Sequence, residues 1–387
     1  MNSQLSTNAT KKEKNISFKF DIQSYTLIIA LVLIAIIFGV FTSGEFLSSR
    51  NISNLFSQMS VISVLAIGMT LIIVAGHIDL SVGSLVGLTG GVAAILQVWY
   101  NWSTPTAIVA AIVVGALFGL WQGWWVAYRN VPAFIVTLGG MLIFRGILIG
   151  ISKGQTISPL QDSFKQIGNS YLPYSLGYII AIASIVLLFF FISRSRSKRK
   201  TLGLLVPNTF IDYGKVSVYS ICILGVTYML SRYLGIPLPI MIVVVLAGVF
   251  LFMSQKTSFG RYIYAIGGNV EAAALSGINI KRNILYVFVL MGALAGIAGV
   301  ILTSRLNAAT VSAGNMNELD AIAACVIGGT SLMGGKGKIV GAIIGALIMA
   351  SIDNGMSMMN IEAFWQYIVK GLILIFAVWL DISNKKN

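Results

Sequence analysis

Twelve apolar runs, parted by short polar or basic segments, divide the chain at 25–41, 55–75, 82–98, 106–127, 132–151, 176–192, 216–231, 237–253, 284–303, 318–334, 337–355 and 364–380. A helix needs about 20 apolar residues to cross a bilayer, so this alternation predicts an all-α polytopic membrane protein. Several runs are short, which leaves 10–12 transmembrane helices, some of them broken or re-entrant. A tail, 1–24, precedes one transmembrane domain, 25–387, divided into a first half 25–173, an insertion 174–255, a polar loop 256–283 and a second half 284–381. The halves look distantly alike: a membrane-embedded acid near Asp79 precedes Gly-rich apolar sequence, and the same order recurs near Glu318, as in transporters built from repeats.

Charge then orients the pattern. With the N-terminus inside, Arg129, the run Arg194–Lys200, the polar loop and Lys385–Lys386 all fall on the cytoplasmic side, while the long outer segments 152–175 and 304–317 carry less positive charge. That is the positive-inside distribution, with both termini cytoplasmic. The first apolar run follows Lys11, Lys12 and Lys14 and lacks a small-residue cleavage site, so it reads as a retained helix.

Composition narrows the class. Of 387 residues, 57% are hydrophobic and only 10% charged, with a mean hydropathy of +0.89. So few charges cannot cover so much apolar surface in water. The net charge of +14 sits in short segments beside apolar runs rather than on a continuous basic face, which speaks against nucleic acid. Cys222 and Cys325 both lie in apolar runs, which predicts buried thiols, and a single histidine excludes a His-rich metal site.

Polar groups at membrane depth are the candidate pathway. His77, Asp79 and Ser81 interrupt an apolar stretch between Val61 and Gly91, and Gly76, Gly83 and Gly87 permit a broken helix there. Glu318 and Asp320 stand at the start of another run, and Asn354 marks the end of a third. Each acid has two readings, a group lining a polar path or a carboxylate capping a half-helix. Arg145 and Lys370 also lie inside apolar runs, where pairing with a buried acid is the favoured reading. The Gly-rich stretch 328–337 lacks the Gly-x4-Gly-Lys-Ser/Thr spacing of a phosphate loop, so ATP has no such site on this chain.

The polar loop carries the sharpest signal. Within it, Asn269 is placed to N-cap a very short helix, Glu271 suits its positive end and Gly277 suits a left-handed stop. Ala272, Ala273 and Ala274 give the helix a narrow body suited to a groove on another protein. The run Gly267-Gly-Asn-Val-Glu-Ala-Ala-Ala-Leu-Ser-Gly-Ile278 resembles the coupling segment of bacterial sugar permeases of the ribose, galactose and xylose ABC importers. Gly76-His-Ile-Asp-Leu-Ser-Val-Gly-Ser84 and Glu318-Leu-Asp-Ala-Ile-Ala-Ala-Cys-Val-Ile-Gly-Gly-Thr-Ser331 resemble the signatures of its two halves, although relatives often have an acid or glycine where His77 stands. The resemblance runs from about residue 45 to 382 and is strongest toward the xylose branch.

That resemblance implies a channel subunit in the bacterial inner membrane that moves a monosaccharide, D-xylose foremost. It implies that Gly268, Asn269, Glu271, Ala272, Ala273, Leu275, Ser276 and Gly277 meet an ATPase subunit with tandem nucleotide-binding domains. ATP and Mg would sit on that partner and no cofactor on this chain. An extracytoplasmic sugar-binding protein and a second permease subunit, most simply a homodimer, complete the implied assembly. Two other classes stay open on residues alone: an ion-driven secondary transporter using His77 and Asp79, and a membrane enzyme, for which no nucleophile–base pair is visible.

Overall fold

The computed structural model describes residues 22–204, 206 and 208–383, with side chains from residue 26; most of the tail 1–24 and Lys385–Lys386 lie outside the described residues. The chain is helical almost throughout. The helices are α1 (Ile22–Phe41), α2 (Ser49–Val74), α3 (Val82–Val98), α4 (Thr104–Arg129), α5 (Ala133–Ser152), α6 (Asp162–Asn169), α7 (Tyr174–Thr201), α8 (Thr209–Ser231) and α9 (Leu238–Lys256). They continue with α10 (Ser258–Gly268), α11 (Val270–Leu275), α12 (Ile280–Leu306), α13 (Asn317–Ile327), α14 (Ile339–Met358) and α15 (Ala363–Ser383). Among the described residues nine helices are long and apolar enough to cross a membrane, and α3 and the 26–41 part of α1 are shorter apolar helices. The chain is therefore an all-α polytopic membrane protein.

One expected span fails. The run 318–334 forms a helix only to Ile327, and 328–338 is a turn-rich loop. Eleven residues rise about 16 Å, roughly half the hydrocarbon thickness. The stop is chemical: Gly329 takes φ +85°, its N–H donates to Val326 and that of Thr330 to Cys325. The same two-bond closure ends α2, where Gly76 has φ +85° and the amides of Gly76 and His77 bond Ile73 and Ile72.

The centre of the bundle is α2, which packs against α12, α13, α14 and α9, with Leu65, Ile67, Met69 and Ile72 inaccessible to solvent. Helices α4 and α12 pack backbone against backbone. A side chain at Gly115 would meet the carbonyl of Gly292, one at Gly119 that of Phe288, and one at Gly296 the backbone of Ala111 and Ile112. Small residues every fourth position let two backbones touch where lipid offers no hydrophobic drive to associate.

The insertion divides in two. Residues Tyr171–Leu172 (β1) and Ile236–Pro237 (β2) pair antiparallel across the base of the α7–α8 hairpin, which is otherwise mostly exposed, while α9 joins the body against α2. Cys222 on α8 faces out of the bundle, against the expectation of a buried thiol, because α8 turns little of its surface inward. Cys325 is buried and donates to Ala66 O, with Thr70 Oγ1 at 3.4 Å from its sulfur.

Candidate functional site

Two broken segments meet in the interior. Residues 75–81 lead irregularly from α2 to α3, and 307–316 lead from α12 to α13. They touch where Gly83, at the start of α3, faces the carbonyl of Gly314 and the carboxylate of Glu318; Gly87 faces the carbonyl of Ala313. Gly314 itself has φ +72°. Arg145, midway along α5, donates to the carbonyls of Val311 and Ala313 and so pins the second segment. A cation that satisfies bare carbonyls is what non-helical backbone at membrane depth requires.

Asp79 is 1% exposed and its Oδ1 accepts from Ser81 N at 2.9 Å and from Ser81 Oγ at 2.6 Å. Gln122 Nε2 on α4 donates to Ser81 Oγ at 2.8 Å, extending the chain of polar groups across to α4. The carboxylate thus satisfies the freed backbone at the helix break. The Glu318 carboxylate lies against Gly83, the second residue of α3, and so stands beside the break that carries Asp79 and Ser81.

The other expected pathway residues go elsewhere. His77 packs its ring on Phe288, with centroids 6.1 Å apart. Asp320 does not cap α13: its Oδ2 pairs with Lys370 Nζ of α15 at 2.9 Å, and the same Nζ lies 2.8 Å from Asp353 Oδ2 of α14. Asn354 accepts from Asn51 Nδ2 at 2.8 Å, at the end of the bundle opposite the basic loops. Six residues grouped by sequence argument therefore occupy three or more neighbourhoods.

Sequence reading passed over the first half of α2. Arg50, Asn54 and Gln58 recur every fourth residue along its more open side, while Ser53, Ser57, Ser60 and Ser63 are buried in the bundle. Ser53 Oγ and Ser63 Oγ are buried with no hydrogen-bond partner among the described residues. The signal was present as polar residues within a nominal span.

At the basic end, α11 is a six-residue helix whose ends are both closed. Asn269 Oδ1 accepts from Ala272 N at 2.9 Å, and Gly277, with φ +79°, sends its N–H to Ala274 while Ile278 bonds Ala273. Ala273 is buried against the body, so only Ala272 and Ala274 of the alanine run remain on the surface. Leu275 is 91% exposed, and Val270 and Glu271 lie beside it in the open.

Beneath α11, its neighbour α10 is wedged into the interior. A side chain at Gly267 would meet Val74 O and Gly335 N, themselves hydrogen-bonded at 2.9 Å. Gly334 lies against Gly267 and Gly76, and Tyr264 donates its hydroxyl to Gly337 O at 2.8 Å. Burial raises the pKa of Tyr264 above its ordinary value, which keeps that phenol protonated as a donor. The contacts make a continuous backbone path from α11 through Gly267 to Gly76, two residues from Ile78 and three from Asp79.

Comparison with known proteins agrees over nearly the whole length. A family model described as the branched-chain amino acid transport system / permease component matches residues 51–378. The xylose transport system permease protein XylH of Escherichia coli K12 is 52% identical over 367 residues, covering 95% of this chain and 93% of the relative. The protein of the same name from Haemophilus influenzae is 51% identical over 367 residues, covering 95% and 98%. The ribose import permease protein RbsC of E. coli K12 is 37% identical over 362 residues, covering 94% of each. No solved structure matches.

Proposed function

Because the chain belongs to the branched-chain amino acid transport system / permease component family, we propose that it is the membrane subunit of an ABC importer whose sugar is D-xylose. Its likeness to two xylose permeases at 51–52% identity, against 37% to a ribose permease, supports the choice of sugar. The observation that carries the mechanism is the pairing of an exposed, doubly capped α11 with a neighbour, α10, whose Gly267 packs on the backbone of Val74 and Gly335.

In this reading the basic end faces the cytoplasm, as the positive-inside distribution requires. An ATPase with tandem nucleotide-binding domains seats α11 in a groove through Val270, Glu271, Ala272, Ala274 and Leu275. ATP and Mg are bound there. Closure of that partner pushes α10, and the Gly267–Gly334–Gly76 contacts pass the displacement to the break carrying Asp79. A neutral sugar asks only for hydroxyl and amide partners, which the row Arg50, Asn54 and Gln58 on α2 offers in part through its amides. A sugar-binding protein delivers cargo at the other end, and two copies of this chain form the channel. Asp79 is occupied by its own Ser81, which favours this reading over an ion-coupled carrier.

Labelled D-xylose uptake, with and without this chain, tests the proposal. Loss of uptake on deletion, with competition by xylose but not by ribose, arabinose or galactose, is the expected result; unchanged uptake of every sugar would overturn it. A narrower test concerns Leu275→Glu. This side chain makes almost no contact within the chain, so folding should be unaffected. Burying a leucine in a partner is worth about 1.5–3 kcal/mol, so ATPase association should weaken roughly 10- to 150-fold. Equal retention of the ATPase in pull-downs of variant and parent would remove α11 from the coupling role.

A further inference from the structure

The structure points to a sugar-binding site at the end of the bundle opposite α11. There, Glu45, Ser48, Arg50, Asn51, Asn54, Tyr171, Tyr233 and Met358 line a cavity of about 460 Å³. Its volume lies within the ~300–1,000 Å³ typical of small-molecule sites and leaves room for one monosaccharide with water. We propose that this cavity is a loading subsite that holds a neutral monosaccharide between its delivery and its passage along α2. The proposal rests on the importer reading above.

Four observations carry it. The first is the aromatic pair: Tyr171 and Tyr233 stand at 86° with centroids 6.2 Å apart, so one ring presents a face beside the other's edge. The apolar C–H face of a pyranose lies against such a ring, while its hydroxyls need donors and acceptors around the rim. The second is an unspent polar inventory. Both amide hydrogens of Asn51 are used, on Phe46 O at 2.9 Å and Asn354 Oδ1 at 2.8 Å, so the group left for a guest is its carbonyl oxygen. Asn54 adds an amide, and Glu45 with Arg50 gives one charge of each sign, which suits an uncharged polyol better than an anion or cation.

The third observation is that the tyrosines are held rather than loose. Tyr171 belongs to β1, registered opposite Pro237, and Leu238 N donates to Ser170 O at 2.9 Å. The turn that carries Tyr233 depends on Gly235, whose φ of +107° and contact with Leu172 O admit no side chain. The fourth is direction. Arg50 and Asn54, one turn apart on α2, open onto the cavity, and Gln58 continues their row one turn deeper. A sugar released from the cavity meets polar groups already waiting.

The test uses the full chain in lipid nanodiscs and D-xylose as the probe, read by saturation-transfer NMR. Wild type, Y171A/Y233A and Y171F/Y233F are compared, and the same three are run in ATP-driven uptake with the ATPase and binding protein. Sugar signals in wild type, lost at least fivefold in the alanine pair and kept in the phenylalanine pair, with uptake following the same order, are expected. Equal signals in all three overturn the subsite, as does a wild type that takes up sugar but shows no transfer. Loss of binding-protein association in the alanine pair, with transfer unchanged, would make the cavity a protein-docking contact instead. A wild type that takes up no sugar with its partners present would count against the importer reading itself.

Discussion

Replacing Gly267 with valine is expected to abolish ATP-driven uptake while leaving α11 free to bind its partner. The reason is local. A Cβ at this position falls on the hydrogen bond between Gly335 N and Val74 O, where both neighbours are backbone and cannot rotate aside. The α10 helix must therefore lift from the end of α2, where Gly267 and Gly334 lead on to Gly76 at the break before His77. Overpacking of this kind costs about 1–3 kcal/mol, enough to displace a short helix without unfolding a membrane bundle. The exposed surface of α11 is untouched, so the ATPase should still be retained and should hydrolyse ATP without moving sugar. Gly268→Ala provides the contrast, because its added Cβ meets nothing within 4 Å. Uptake by the alanine variant should match the parent within about twofold, a few tenths of a kcal/mol. Full uptake by Gly267→Val would show that the displacement travels by another route.

This contact also shows how far the chain could be read before its structure was seen. The ends of α11 were legible because capping is local: Asn269 reaches an amide three residues away, and Gly277 supplies a backbone angle that other residues resist. The glycine beneath it was not. Its partners Val74 and Gly335 are far away in sequence on both sides, and only tertiary packing gives Gly267 a meaning that Gly268 lacks. The same division explains the acids. Asp79 satisfies a neighbour two residues on, within the reach of sequence reasoning, whereas Asp320 finds its partner 50 residues later on α15. Hydropathy located α13 but overran it, because Gly328, Thr330 and Ser331 barely dent a window average while Gly329 ends the helix outright.

The polar first half of α2 teaches the converse. Apolar averages near 55–75 marked it as an ordinary span, yet it is the helix most enclosed by protein, with its serines facing neighbours rather than lipid. Burial reverses the meaning of a hydroxyl: on a lipid face it is a cost, and inside a bundle it is a handhold for another helix or for a sugar. The helix α15 carries the opposite pattern, mostly apolar with no buried residue. How such a helix stays in place is a question that hydropathy does not pose.

Lys370 answers it, and its replacement by methionine is expected to destabilise the chain more than any surface change on α15. The ammonium sits between Asp320 and Asp353, side chains 4% and 25% exposed, and ties three helices at one point. Removing it leaves two carboxylates facing each other inside the bundle, and breaking a buried pair in this way costs about 3–5 kcal/mol. One oxygen of each acid already lacks a partner among the described residues, so no spare hydrogen bond exists to absorb the loss. Lys370→Met should therefore lower the yield of monodisperse protein in mild detergent and its unfolding temperature. Adding Asp320→Asn and Asp353→Asn to the same chain should restore most of both, because neutral amides of nearly the same shape remove the repulsion. The rescue separates charge from packing: a triple variant as unstable as Lys370→Met alone would mean that the lysine stem, and not its charge, holds α15. If the single variant were as stable as the parent, the three-helix tie would contribute nothing and α15 would be held by its apolar contacts with α13.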